Sequence, residues 1–174
     1  MTGVAIPILM YHEVSPDPHP AFRRYTVGAR EFARQIGWLA ARGYQAMDMD
    51  TLHRARTAGG PLPRRPVLLT FDDGFQGCAD YALPVLRAHG FTAVFYLVAD
   101  RMGETSRWML AEVGMELPLM SWDTARMLTA EGFQCAAHTA THPRLAGLIL
   151  SAPPASGGVV VVSVGFAAGV CDTR

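Results

Sequence analysis

Pro66-Val67-Leu68-Leu69-Thr70-Phe71-Asp72-Asp73-Gly74 decides how the rest of the chain is read. An uncharged apolar run of this length suits a strand buried on both faces, which is the environment of a parallel sheet. It stops at two adjacent carboxylates and a glycine that makes a sharp turn cheap. In open or barrel-shaped parallel sheets the reactive site lies beyond the carboxyl ends of the strands, and Asp72 and Asp73 stand at such an end. Neighbouring strand residues point to opposite faces, so both acids can serve one site only if the backbone turns there.

Adjacent carboxylates repel, and each raises the other's pKa unless a cation is shared between them. Residues able to complete such a cation site occur in Ala137-His138-Thr139-Ala140-Thr141-His142-Pro143. The i, i+4 spacing of His138 and His142 would aim both imidazoles at one point from a single helical turn. Two histidines and a carboxylate hold a divalent ion while leaving positions open for water or substrate. An Asp-Asp pair alone is commonly a solvated turn, and an isolated HxxxH pair is commonly on the surface. Here each follows a strand-like run, and together they read as one metal site.

These two stretches resemble the first two motifs of the polysaccharide deacetylase family, the NodB-like carbohydrate esterases. Supporting similarity runs from Leu9-Met10-Tyr11-His12 through Leu68 and Phe95 to Pro143-Arg144-Leu145, so it covers about residues 6–146. The resemblance implies a distorted (β/α) barrel and removal of acetyl groups from N-acetylated carbohydrates. It implies Asp73, His138 and His142 as ligands of a divalent metal, zinc first and cobalt, nickel or manganese as alternatives, and Asp72 as the general base. His12, at the end of the first strand, is expected to face the site and touch substrate.

Composition bounds the rest. At 174 residues, with 50% hydrophobic content and zero net charge, the chain is long enough for one core and too short for two ordinary domains. A sequence pI near 7.0 and the lack of a basic cluster exclude nucleic acid and an anionic membrane surface as expected partners. Cys78, Cys135 and Cys171 are an odd number without metal spacing, so no disulfide framework is implied. Cys135 lies in an apolar run and is expected to be buried. The amino-terminal residues show neither a basic leader nor an uninterrupted apolar stretch, so a cytoplasmic location is the default expectation.

In chain order, Val4–Tyr11 is predicted as a strand and Ser15–Pro20 as a loop, with His19 solvated. Phe32, Ile36, Leu39 and Ala40 have helical spacing over 29–42, closed by Gly43. Tyr44–Met49 is a short strand, and Asp50 is the expected N-cap of a helix over Thr51–Ala58. After the acids, Phe75–His89 is helical with a break at Pro84, followed by a strand over Thr92–Val98. Residues 99–120 are mixed, and Trp108 within them is assigned to the core in preference to a sugar platform. A helix over Trp122–Glu131, capped by Ser121, leads to a strand over Phe133–Ala137. The expected architecture is α/β, an incomplete NodB-type barrel with about five parallel strands, whose unpaired edges invite self-association.

From Leu145 to Cys171 no residue is charged, and Val159–Val162 is flanked by Gly157-Gly158 and preceded by Pro153-Pro154. The expected division is a partial NodB-like domain over 1–146 and an unrelated apolar tail over 147–174. The family's later motifs, among them a histidine acting as general acid, are absent, as a frameshift or truncation would produce; a family variant or a membrane anchor are alternatives. Two other functional readings stand beside the deacetylase: a non-catalytic remnant binding metal or sugar, and an aspartate-based magnesium phosphotransferase.

Overall fold

The computed structural model describes residues 6–143. The tail over 147–174, with Val159–Val162 and Cys171, lies outside them, as does the start of the strand expected from Val4.

The predicted buried strand is present as Pro66–Phe71, and every residue of it is buried. It is the fifth of seven strands among the described residues: β1 (Ile8–Tyr11), β2 (Glu13–Ser15), β3 (Thr26–Gly28), β4 (Gln45–Met47), β5 (Pro66–Phe71), β6 (Val94–Leu97) and β7 (Gln134–Ala137). Five form one parallel sheet in the order β1-β5-β6-β7, with β4 also paired to β5. The first strand starts at Ile8, just after Pro7, and ends at Tyr11 as expected. Beyond it β2 and β3 form a separate two-stranded parallel sheet that the Pro-rich loop concealed.

Register explains how the sheet packs. Tyr11 pairs with Phe71, and Phe71 with Phe95, so three aromatic rings line up on one face of neighbouring strands. They stack at 5.3 and 4.9 Å, with Phe133 and Phe32 meeting the row edge-on. Such pairs add roughly 0.5–1.5 kcal/mol each beyond the area they bury. Over this face lie α1 (Ala29–Ala41), which buries the expected Phe32, Ile36 and Leu39, and the helix that follows the acids.

The intervening α2 (Met49–Ala58) is capped by Asp48, whose carboxylate accepts from the Thr51 N–H, and not by Asp50. Asp50 instead occupies the first turn, where a negative charge also suits the helix dipole. The segment after the acids divides at its proline. A wide turn over Cys78–Ala82 passes into α3 (Leu83–His89), leaving Pro84 in the first turn, where its missing N–H does no harm. Two further helices, α4 (Leu110–Val113) and α5 (Trp122–Ala130), complete the described chain. Cys135 is half-buried, not buried.

The sheet's other face is covered less well. Met47, Leu68 and Val94 are buried there, but Ile8 and Met10, in register with Leu68 and Thr70, are 56% and 61% exposed. The sheet does not close: among the described residues β1 and β7 each have one neighbour. No helix among them is long and apolar enough to cross a membrane.

Candidate metal and catalytic site

The acids follow β5 through a turn in which Asp73 and Gly74 both take left-handed backbone angles, φ 73° and 74°. Gly74 alone was expected to absorb the turn; Asp73 shares it, at the steric cost of a non-glycine residue in that region. The turn is firmly tied. Asp72 N–H donates to Tyr11 C=O at 2.9 Å, Met120 N–H to Gly74 C=O at 2.8 Å, and Gln76 N–H to Pro118 C=O at 2.9 Å. These bonds carry the two carboxyls to different environments, with Asp73 only 5% exposed and Asp72 half-buried.

The histidines arrive from β7, but not on a helix. His138 is the first residue past the strand, held by its N–H to Leu97 C=O at 2.8 Å. The chain then loops, with Thr139 and His142 both left-handed at φ 66° and 57°, and His142 N–H donates to Thr139 Oγ1 at 2.9 Å. The i, i+4 spacing therefore works through a compact loop, and Pro143 explains why a helix would not continue. Asp73, Thr139 and His142 are the non-glycine residues with positive φ among those described. Backbone strain is thus concentrated at this one place.

Asp73, His138 and His142 come together. His138 Nε2 is 3.3 Å and His142 Nε2 3.1 Å from the same Asp73 Oδ1, and the three ligand atoms lie within 4.8 Å of one another. Oδ1 is buried without a hydrogen-bond partner, a costly condition for a carboxylate oxygen unless something else binds it. Burial pushes the Asp73 carboxyl up, but the two imidazoles beside it outweigh burial and hold it well below the usual carboxylate range. The same carboxylate, against the opposing effect of burial, raises His138. An orphaned anionic oxygen facing two imidazole nitrogens is the donor set of a divalent ion of the zinc type, and the residues fit such an ion.

Asp72 differs. Burial raises its pKa, with His138 and His12 opposing and Asp73 reinforcing, and the net shift is upward. A carboxylate with raised proton affinity beside a metal-type site is suited to accept a proton. His12 is half-buried with its ring 5.4 Å from Tyr25, and it is near enough for its charge to oppose proton binding by both acids.

Two neighbours were not singled out for this site. Tyr96, on β6, has its ring 6.3 Å from His138, and its hydroxyl is raised by burial and then by Asp72. Alternation along β6 puts it on the same face as Val94, a signal that was available. Trp108, assigned to the core, borders the cluster of Phe22, Phe75, Met109 and Leu119, yet its ring also stacks on His142 at 4.7 Å and 21°. No periodicity could reveal that contact, because it joins two loops.

The profile of the polysaccharide deacetylase family matches residues 59–153, more than half of the chain, including both the acid turn and the histidine loop. The chain belongs to the polysaccharide deacetylase family. The poly-beta-1,6-N-acetyl-D-glucosamine N-deacetylase of Escherichia coli (strain K12) is 36% identical over 73 residues, covering 42% of this chain and 11% of that protein. A Bacillus subtilis (strain 168) protein, YxkH, whose name places it among polysaccharide deacetylases, is 26% identical over 143 residues, 82% of this chain. The chain spans 45% of that relative's length. Among solved structures, IcaB from Ammonifex degensii superposes with a TM-score of 0.63 at 27% identity, covering 79% of this deacetylase-family chain and 53% of that one. The Streptococcus pyogenes deacetylase PplD in complex with acetate superposes at 0.68, with 24% identity and coverage of 85% and 62%. These superpositions identify the open parallel sheet as part of a NodB-type fold.

Proposed function

We propose that this chain removes the N-acetyl group from an amino-sugar polymer by metal-dependent amide hydrolysis. Asp73, His138 and His142 would hold the metal and Asp72 would act as general base. The observation that carries the reading is the buried Asp73 Oδ1, which makes no hydrogen bond but faces two imidazole nitrogens at 3.1 and 3.3 Å. When bound, a divalent ion supplies Lewis acidity toward the acetyl carbonyl and the attacking water.

The chain's own residues do the rest. Asp72, raised by burial, takes the proton from the attacking water as its oxygen bonds to the acetyl carbon. The left-handed turn at Asp73 and Gly74 keeps the base beside the ligand carboxylate. Breaking the carbon–nitrogen bond returns a proton to the leaving amine, and His12 is assigned to the substrate near that step. A general acid for the leaving amine contributes ~10²–10⁴-fold, so its supply governs how fast that step runs. The names of the relatives make a β-1,6-linked N-acetylglucosamine oligomer the first substrate to test. Asp73 facing two histidines supports this reading over magnesium-dependent phosphotransfer, in which paired acids usually stand one residue apart.

Binding of metal or sugar without turnover is the second reading. Acetate release from N-acetylglucosamine oligomers, with Asp72→Asn as control, separates the two. Zinc-dependent release abolished by Asp72→Asn supports hydrolysis; metal uptake with no release in either protein leaves binding alone.

A further inference from the structure

We infer that Trp108 is a positioning residue that fixes the His142 imidazole for ligation. The inference rests on the metal reading above and concerns how one ligand is held. His138 needs little help, because it directly follows β7 and its backbone bonds to Leu97. His142 lies four residues into a loop, left-handed, with its N–H on a threonine side chain. Nothing in that backbone sets the rotation of the ring about its side-chain bonds. The near-parallel indole, 4.7 Å away at 21°, does.

Trp108 is itself held from the acid turn. Met120 and Gln76 pair across to Gly74 and Pro118, as described. From there Leu119 N–H donates to Glu104 C=O at 3.0 Å, and Ser106 N–H to Leu117 C=O at 2.9 Å. Ser106 is fully buried, and its hydroxyl accepts from Leu117 N–H at 2.8 Å. Trp108 follows in the short turn over Arg107–Met109, with Met109 anchored in the core beneath it and Phe75 against the indole at 6.5 Å. One connected frame therefore begins beside Asp73 and ends on the ring of His142. The segment over 99–120 aligns the carboxylate ligand with the second imidazole, and the π face of indole favours an imidazole made electron-poor by a metal.

Zinc affinity, measured on the full chain by competition with a chromophoric chelator, tests the inference. Groups that orient metal ligands typically contribute 10–100-fold in affinity, so we expect Trp108→Ala to weaken zinc by about tenfold or more, and Trp108→Phe, which keeps a flat ring, to restore most of it. The visible absorption of the cobalt-substituted protein should change in Trp108→Ala and be retained in Trp108→Phe, which a merely structural role would not produce. Unchanged zinc affinity and an unchanged cobalt spectrum in folded Trp108→Ala would overturn the inference. If Trp108→Ala does not fold, a chain with Trp38→Phe and Trp122→Phe keeps Trp108 as its one indole. Cobalt must then quench its emission, and failure to quench overturns the inference equally. His138→Ala separates the two levels: loss of zinc there with full affinity in Trp108→Ala removes only the role of Trp108, whereas full affinity in His138→Ala removes the metal site itself.

Discussion

The acid turn after β5 and the histidine loop after β7 bring Asp73, His138 and His142 to one point by opposite means. The acid turn leaves a wholly buried central strand and is bonded to β1 and to the 118–120 segment. The histidine loop leaves an edge strand whose residues are all half-buried, and it is tied to the rest by Ala99 and Asp100 N–H groups donating to Thr139 and Ala140. The acid turn is the more deeply buried and more heavily bonded half, and the histidine loop the less buried one. Substitutions in the first should register in folding as well as in function, and those in the second in metal affinity first.

The largest effect is expected where the halves meet. Asp73→Ala removes the carboxylate both imidazoles face, and metal affinity should fall by orders of magnitude, as elemental analysis would show. Metal retained at wild-type stoichiometry would break the comparison, because the halves would then not share a ligand.

Asp72→Asn should keep the metal and reduce any acetate release by about 10²–10⁴-fold, the usual worth of a general base. The pH dependence has a definite sign. In the proposed role Asp72 works ionised, and burial raises its pKa, so release should fall as pH drops through a value above the ordinary aspartate range.

Gly77 sharpens the claim that the acid side is the more deeply buried half. A Cβ there would collide with Glu13 Oε1 and stand 2.6 Å from Val14 C=O, so Gly77→Ala should cost about 3 kcal/mol in denaturant unfolding. A cost near zero would mean that this half yields as easily as the loop.

Glu13 provides a pH-linked test of the same region. It is buried, and burial followed by Asp80 pushes its pKa from 4.5 to about 8. A raised carboxyl binds its proton more tightly in the folded chain, so it adds no penalty below the unfolded value. The penalty grows as pH rises from about 4.5 and is complete above about 8. Glu13→Gln should therefore be stabilising near pH 8 and neutral below pH 4, with melting followed across that range. A pH-independent difference would show that Glu13 is solvated.

The smallest effect is expected in the loop. Thr139→Ala removes the acceptor of the His142 N–H, worth about 1 kcal/mol. It should appear as a severalfold loss of zinc affinity with an unchanged melting temperature. A fall in melting temperature without a change in affinity would reverse the assignment of the two halves.

Much of this was legible in the chain. The helix spacing of Phe32, Ile36 and Leu39 and the uninterrupted run into Asp72 locate α1 and β5, because burial of a periodic face is written in consecutive residues. The convergence of Asp73, His138 and His142 was legible too, although by way of a helical turn that does not exist. The spacing was informative and the conformation inferred from it was wrong, since Thr139 and His142 take left-handed angles that propensity does not encode for those residues. The β2–β3 pair was missed for a related reason: three-residue strands divided by a Pro-rich loop carry too little pattern to be read locally.

By itself the sequence determined the parallel α/β class, the residue types of the candidate site and their place at strand ends, because strand burial and turn chemistry depend on residue identity over short spans. Only the tertiary structure decided which carboxylate is buried and faces both imidazoles, why Asp72 and Asp73 are driven in opposite pKa directions, and that Trp108 lies on His142. Those outcomes depend on groups far apart in sequence sharing one small volume, where burial and neighbouring charge are fixed by packing rather than by any local run of residues.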